Sequence, residues 1–262
     1  MRLRGRVVLL TGASRGLGRA VALALGTRGA RVACVARDAA ALAGVVEATR
    51  AAGGEARAFP FDLDHSEACG ELVAQVEEEL GPLGVLVANA GMATAGEIAD
   101  LPLAEFERNL RGNFLGHAAL TRAALPGLRE RGGTLCFVLS GLALRPIPAL
   151  STYAVSKAAL RAYAESLRIE LSGSSVRVLT VQPGTMETGF LARMDRFGEP
   201  RILMPRRAAP PERVAERLVR ALERDRSRVV VRGGGWLVQQ LDHFAPQLVD
   251  RLMVHLYRRA RA

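Results

Sequence analysis

A single lysine, Lys157, lies four residues after Tyr153 in Tyr153-Ala154-Val155-Ser156-Lys157, and every other basic side chain in the Lys+Arg count is arginine. Arginine is a wide planar fork whose pKa is too high to tune; lysine is a compact ammonium on a flexible stem. A chain that uses arginine for every other cation marks this one position for chemistry that arginine cannot do. A spacing of four puts both side chains on one face of a helix, one turn apart. An ammonium beside a phenol stabilises phenolate and is expected to lower a pKa that starts near ~10. Lowering it by ~3 units takes about 4 kcal/mol of differential interaction and makes tyrosine usable as an acid or base at neutral pH.

A second group of residues points to a phosphate. Thr11-Gly12-Ala13-Ser14-Arg15-Gly16-Leu17-Gly18 follows a short apolar run and opens a helical stretch. Glycines there allow a tight turn and the close approach of a pyrophosphate to a helix N-terminus, where backbone N–H groups point outward. Sites for NAD commonly hold the ribose 2′-OH with a carboxylate at the end of the second strand. Here that end reads Ala36-Arg37-Asp38. Arg37 and Arg15 together can clamp a 2′-phosphate, each charge-assisted bond contributing roughly 1.5–3 kcal/mol. Asp38 comes one residue late and is expected to cap the next helix. The cofactor expected is therefore NADP(H) rather than NAD(H).

The elements that must position these residues alternate. Strand-like runs fall at 7–10, 31–36, 56–61, 85–88, 134–139, 177–181 and 228–231. Helical stretches run to about 28, over 38–52 and 66–80, through a long region ending near 131, and over 152–171 and 211–223. In the long region Phe106, Leu110, Phe114 and Leu115 recur at helical spacing. This order predicts α/β architecture: one doubly wound, Rossmann-type parallel sheet of seven strands with helices on both faces. No internal boundary or low-complexity linker divides 1–231, and the Pro/Arg-rich stretch 200–211 and the glycines at 233–235 read as loops.

Length and composition agree. The chain has 262 residues, 49% of them hydrophobic, enough for one α/β domain with a sizeable core. Its formal charge of +10 comes from scattered arginines with no basic block and no aromatic interleaving, which argues against nucleic acid. Three cysteines make no disulfide framework; Cys34, Cys69 and Cys136 are expected to be buried free thiols in a reducing cytoplasm. No signal peptide precedes the first strand, and no apolar run is long enough to span a membrane. No metal site is expected.

These residues together resemble the short-chain dehydrogenase/reductase family in its compact single-domain form, from residue 5 to about 231. The Thr-Gly-x-x-x-Gly-x-Gly turn is residues 11–18, so Gly12, Ser14, Arg15, Gly16, Leu17 and Gly18 are implied to cradle the cofactor phosphates. Asp62, followed by Leu63, matches the residue that contacts adenine. Asn89-Ala90-Gly91 matches the motif after the fourth strand, and Pro183-Gly184 with Thr188 the segment that holds the nicotinamide amide. The family's catalytic set matches Asn113, Ser140, Tyr153 and Lys157. The resemblance implies that Tyr153 protonates the carbonyl oxygen as hydride arrives and that Lys157 lowers its pKa and bonds the ribose. It implies too that Ser140 stabilises the developing charge and that Asn113 holds a water joining Lys157 to solvent. Met186 stands where the family has Val or Ile.

In this family substrate is met by the segments after Asn-Ala-Gly, after the catalytic serine and after Pro-Gly, here 92–96, 142–148 and 189–205. The last carries Phe190, Leu191, Met194, Phe197, Ile202, Leu203 and Met204, an apolar lid that favours an apolar ketone or alcohol. Gly91-Met92-Ala93, Phe106-Glu107-Arg108 and Glu187-Thr188-Gly189-Phe190 are similar to the 3-ketodihydrosphingosine reductases, although Gly189 replaces the family's proline. The alternatives are a 3-oxoacyl, steroid or other alcohol/ketone oxidoreductase, or a dinucleotide-binding scaffold without catalysis.

Residues 232–262 form a C-terminal extension in which Leu237, Leu241, Phe244, Leu248, Leu252 and Leu256 recur at spacings of three and four, with Arg251, Arg258, Arg259 and Arg261 near the end. Such an amphipathic basic segment packs on its own domain or a neighbouring subunit of a homo-oligomer, or lies on an anionic membrane. Pro246 is expected to break it into two helices. The location expected is cytoplasmic, with the inner face of a membrane as a peripheral site.

Overall fold

The computed structural model describes residues 1–202, 208–231 and 236–261, without the side chains of 260 and 261. Leu203, Met204 and Pro205 of the expected lid, the glycines at 233–235 and the Arg261 side chain lie outside the described residues.

The chain alternates β1 Val7–Thr11, α1 Gly16–Gly26, β2 Arg31–Ala36, α2 Ala39–Ala51, β3 Glu55–Pro60, α3 Cys69–Leu80 and β4 Leu83–Ala88. After the short β5 Thr94–Ala95 come α4 Leu103–Leu110, α5 Gly116–Arg131, β6 Gly133–Val138, α6 Ser151–Glu170 and β7 Val176–Gln182. The short β8 Asp195–Arg196, α7 Pro211–Glu223, β9 Arg228–Val230, α8 Trp236–Phe244 and α9 Pro246–Arg261 complete it. Seven strands form one sheet in the order β3-β2-β1-β4-β6-β7-β9, every pairing parallel. All five residues of β1 and all six of β4 are buried, as a sheet covered on both faces requires. Alternation along β1 sends Val8 and Leu10 to a core shared with α1, α2 and α7, and Val7 and Leu9 to a core shared with α3, α5 and α6. The expected seven strands are all present, with ends shifted by up to two residues.

β1 pairs with β2 on one side and β4 on the other, so the chain reverses its direction of winding there. A crevice opens at the C-terminal ends of strands at such a point. Asp38 caps α2 as expected: its Oδ1 accepts from the Ala41 N–H at 3.0 Å. The three cysteines are free and buried.

Three features were not anticipated. The long helix ending near 131 is interrupted by a π-helical turn, Arg111–Leu115, between α4 and α5. β5 and β8 pair outside the main sheet and tie together two of the segments expected to meet substrate, 92–96 and 189–205. Pro246 opens a second helix and the extension packs on its own domain, both as expected, but the tail residues also line the crevice, which was not.

Candidate active site

The crevice is a cavity of about 1200 Å³, and all the expected cofactor and catalytic residues line it. Its cradle begins at β1. Gly12 has φ +65°, and a Cβ there would sit 2.7 Å from Ala90 Cα. A Cβ on Gly18 would sit 2.0 Å from the Gly12 carbonyl oxygen. Both positions therefore need glycine for close backbone approach, and Gly12 needs it for its positive φ as well. Arg15, at the N-cap of α1, makes no side-chain cap bond and no acid lies in the first turn, which leaves the helix N–H groups facing the cavity. Asn89 turns back toward this turn: its Nδ2 donates to Thr11 O at 2.9 Å and Gly12 O at 3.4 Å. It staples the loop after β4 to the loop after β1. At the far end of the cradle Arg37 is well exposed and lies 3.7 Å from Asp62, so an anion there competes with a weak ion pair.

α6 carries Tyr153 and Lys157 one turn apart, as their spacing requires. Lys157 is almost wholly buried and donates one Nζ–H to Val138 O at 3.1 Å. Nζ lies 6.0 Å from the Tyr153 ring centroid. The expected lowering of the tyrosine pKa does not occur in this pocket. Burial pushes the phenol up to about 12, opposed by a hydrogen bond with Ser140. Burial likewise brings Lys157 down to about 8. The physical reason is that desolvation acts on both groups, while the ammonium points to the Val138 carbonyl rather than to the phenol oxygen.

Asn113 is fully buried in the π turn. Its Oδ1 accepts from Met92 N–H, and its Nδ2 donates to Met92 O and Ser156 Oγ, each at 2.8 Å. Both amide protons are thus spent on protein, and the side chain fastens the loop after β4 to α6 rather than offering those donors to a relay water.

His117, four residues after Asn113, escaped the sequence reading, although that spacing is the same one that singled out Tyr153 and Lys157. It is wholly buried, with Nδ1 3.1 Å from Asn113 O and Nε2 3.2 Å from Thr11 Oγ1. A carbonyl only accepts, so Nδ1 carries the proton, and the single Thr11 hydroxyl proton faces both His117 Nε2 at 3.2 Å and Val87 O at 3.3 Å. The Thr11 oxygen in turn accepts from Asn89 N–H at 2.9 Å and Ala90 N–H at 3.0 Å. Burial, then the Lys157 charge, pull the His117 pKa down to about 3, against the bond to Asn113, so the ring is neutral.

The opposite wall is apolar. Ala93, Ala95, Leu150 and Met194 form a small core with Leu142, Ile147, Tyr153, Phe190, Leu191 and Ile202. Phe190 leans on Tyr153 with ring centroids 5.5 Å apart. Gly189 has φ +63°, which the fixed ring of proline cannot adopt, so the backbone found here excludes proline at this position. Arg108 holds β8 down through Asp195 and also pairs with Glu105 at 2.7 Å. Trp236, Val238, Gln239, Met253 and Leu256 of the tail complete the lining.

The chain is similar to known proteins in sequence and fold. The short chain dehydrogenase family matches over residues 6–197. Ketoacyl reductase HetN of Nostoc sp. is 37% identical over 232 residues, covering 87% of this chain and 79% of its own. An alcohol dehydrogenase from the archaeon Thermococcus sibiricus, solved with 5-hydroxy-NADP, superposes with a TM-score of 0.77 at 30% identity. That alignment covers 87% of this chain and 97% of the other. A metagenomic short-chain oxidoreductase solved with NADP gives 0.75 at 31% identity, over 88% and 98% of the two chains.

Proposed function

This chain belongs to the short-chain dehydrogenase family, and on that premise we propose that it carries out the NADPH-dependent reduction of a ketone on an apolar, long-chain substrate. One observation carries the reading: Ser140, Tyr153 and Lys157 stand in a single cavity between a glycine cradle and an apolar wall. NADPH, when bound, supplies the hydride. Gly12, Ser14, Gly16, Leu17 and Gly18 would hold its pyrophosphate, Arg15 and Arg37 the 2′-phosphate, and Asp62 and Leu63 the adenine. Asn89, Ala90, Gly91, Pro183, Gly184 and Thr188 would border the nicotinamide end. The two relatives solved with NADP cofactors support this assignment.

Tyr153 is the proton donor. A phenol with a pKa near 12 is protonated at neutral pH, which is the form a reduction needs. It gives its proton to an oxygen that is becoming alkoxide, a stronger base than phenolate. Ser140 hydrogen-bonds the same oxygen and stabilises its charge before transfer is complete. Lys157 spends one N–H on Val138 and keeps two for the ribose side of the cavity. Asn113 holds the Met92 backbone against α6 and so sets the width of the cavity beside Tyr153. A scaffold without catalysis would have no use for a buried ammonium beside a protonated phenol.

The substrate is read as a 3-keto function on a long chain. The motifs around Met92, Arg108 and Thr188 favour 3-ketodihydrosphingosine, and the relative named a ketoacyl reductase favours a 3-oxoacyl substrate. NADPH oxidation measured against both classes at increasing chain length separates them. Activity confined to short or polar ketones would remove the long-chain reading. Tyr153→Phe is expected to lose at least ~10²-fold in rate with NADPH binding retained; near-normal turnover would exclude Tyr153 as the acid.

A further inference from the structure

The tail helices present two faces. Inward, Trp236, Gln239, Met253 and Leu256 line the cavity, and Gln239 Oε1 accepts from Gln182 Nε2 at 2.9 Å. Arg145, five residues after Ser140, grips both helices: its Nη1 lies 2.9 Å from Asp242 Oδ1 on α8 and its Nη2 2.6 Å from Asp250 Oδ1 on α9. The Tyr257 hydroxyl donates to the Glu97 carboxylate across the rim. The pair is a cap fastened over the substrate end of the cavity.

Outward, Leu237, Leu241, Phe244, Leu248 and Leu252 are exposed, Phe244 by 82%. A contiguous apolar stripe of this kind marks a contact surface. Asp242 and Asp250 are the only acids between 236 and 261, and Arg145 neutralises both. Arg251, Arg258 and Arg259 are exposed on α9, and among the described residues no carboxylate pairs with them. Arg251 also borders a shallow depression with Phe244, Pro246 and Leu248 at the corner between the helices. The surface is therefore apolar and positive together. A second copy seated on it about a two-fold axis would set the same arginines against each other. An anionic bilayer surface suits both properties: apolar side chains enter the acyl boundary while guanidiniums meet headgroup phosphates.

We propose that the outer face of α8 and α9 docks on an anionic lipid surface and sets the mouth of the cavity against it. Leu256 joins the two faces, since it lines the cavity and is 42% exposed. An apolar ketone can then pass from lipid to Tyr153 along apolar side chains. That passage rests on the apolar-ketone reading; the docking does not.

The test is co-sedimentation of the full chain with vesicles of phosphatidylcholine alone and of phosphatidylcholine mixed with phosphatidylglycerol. The intact protein is expected to sediment with the anionic vesicles at low salt and to leave them at high salt, as screening shortens. Arg251→Glu/Arg258→Glu/Arg259→Glu is expected to weaken partition roughly 100-fold. Phe244→Asp/Leu248→Asp is expected to abolish it, and both variants should keep the parent's melting temperature and NADPH affinity. Absence of sedimentation, partition indifferent to both variants, or a dimer that Phe244→Asp/Leu248→Asp disrupts while vesicles are ignored would each overturn the proposal. Vesicle binding without turnover of any long-chain ketone would overturn the substrate reading and leave the docking standing.

Discussion

Lys157 sits where the guanidinium carried by every other basic residue of this protein has no room. Its Nζ donates to Val138 O at 3.1 Å, and a Cβ on Gly91 would already lie 3.4 Å from it. Lys157→Arg is therefore expected to cut kcat/KM at least ~10²-fold, because a planar fork cannot take the position of a point ammonium. Steady-state rates within tenfold of the parent would sink the argument from the lone lysine. His117 makes a prediction in pH. Its folded pKa is about 3 against an ordinary 6.5, so the unfolded chain binds the extra proton between those values. The stability this neutral ring contributes is present above pH 6.5 and is lost as pH falls toward 3. At pH 4.5 the loss on its account is about 2–3 kcal/mol. Urea unfolding at pH 7 and 4.5 should show this loss in the parent and not in His117→Gln, beyond what carboxylates contribute to both. Equal pH slopes for the two proteins would show that His117 protonates freely.

At the scale of elements, the chemistry hangs on loops fastened by side chains that periodicity does not reveal. Asn89 joins the turns after β1 and β4, Asn113 joins the loop after β4 to α6, and Arg108 joins α4 to β8. The π turn at Arg111–Leu115 turns Asn113 into the fold where a continuous α-helix of the expected kind was read. Arg145 does the same for the tail. Arg145→Gln removes both ion pairs and leaves Asp242, only partly exposed, without its cation. Proteolytic cleavage within 236–261 is expected to rise roughly tenfold, equivalent to about 1.4 kcal/mol of local opening, with a higher KM for long-chain ketones. Unchanged cleavage would mean that Gln182 and Glu97 hold the cap without it.

For the whole molecule, the excess of arginine is distributed by task. The cofactor end of the cavity is edged by Arg15 and Arg37, both exposed, and the tail carries Arg251, Arg258 and Arg259 on its outer face. Arg37→Asp replaces the proposed phosphate clamp by a carboxylate beside Asp62 and should lower the ratio of NADPH to NADH affinity by ~10- to 100-fold. Dissociation constants for the two cofactors, measured by fluorescence titration, decide it. An unchanged ratio would move the discrimination to Arg15 or elsewhere.

The alternation of strands and helices, the glycine turn, the Tyr153–Lys157 pair and the cap at Asp38 were legible in the sequence, because each depends on local spacing or on a backbone conformation only one residue type adopts; Ser140 was reached only through the family resemblance. Tyr153 and Lys157 share a helix face by geometry alone, and Gly12 and Gly18 announce a close approach by lacking a side chain. What the tertiary structure decided is where those groups are solvated and what crosses over them. Burial raises the tyrosine instead of lowering it, His117 reaches Thr11 across 106 residues of chain, and Arg145 draws a tail nearly a hundred residues later over the cavity. Desolvation and long-range hydrogen bonds depend on packing among distant segments, and no local pattern encodes them.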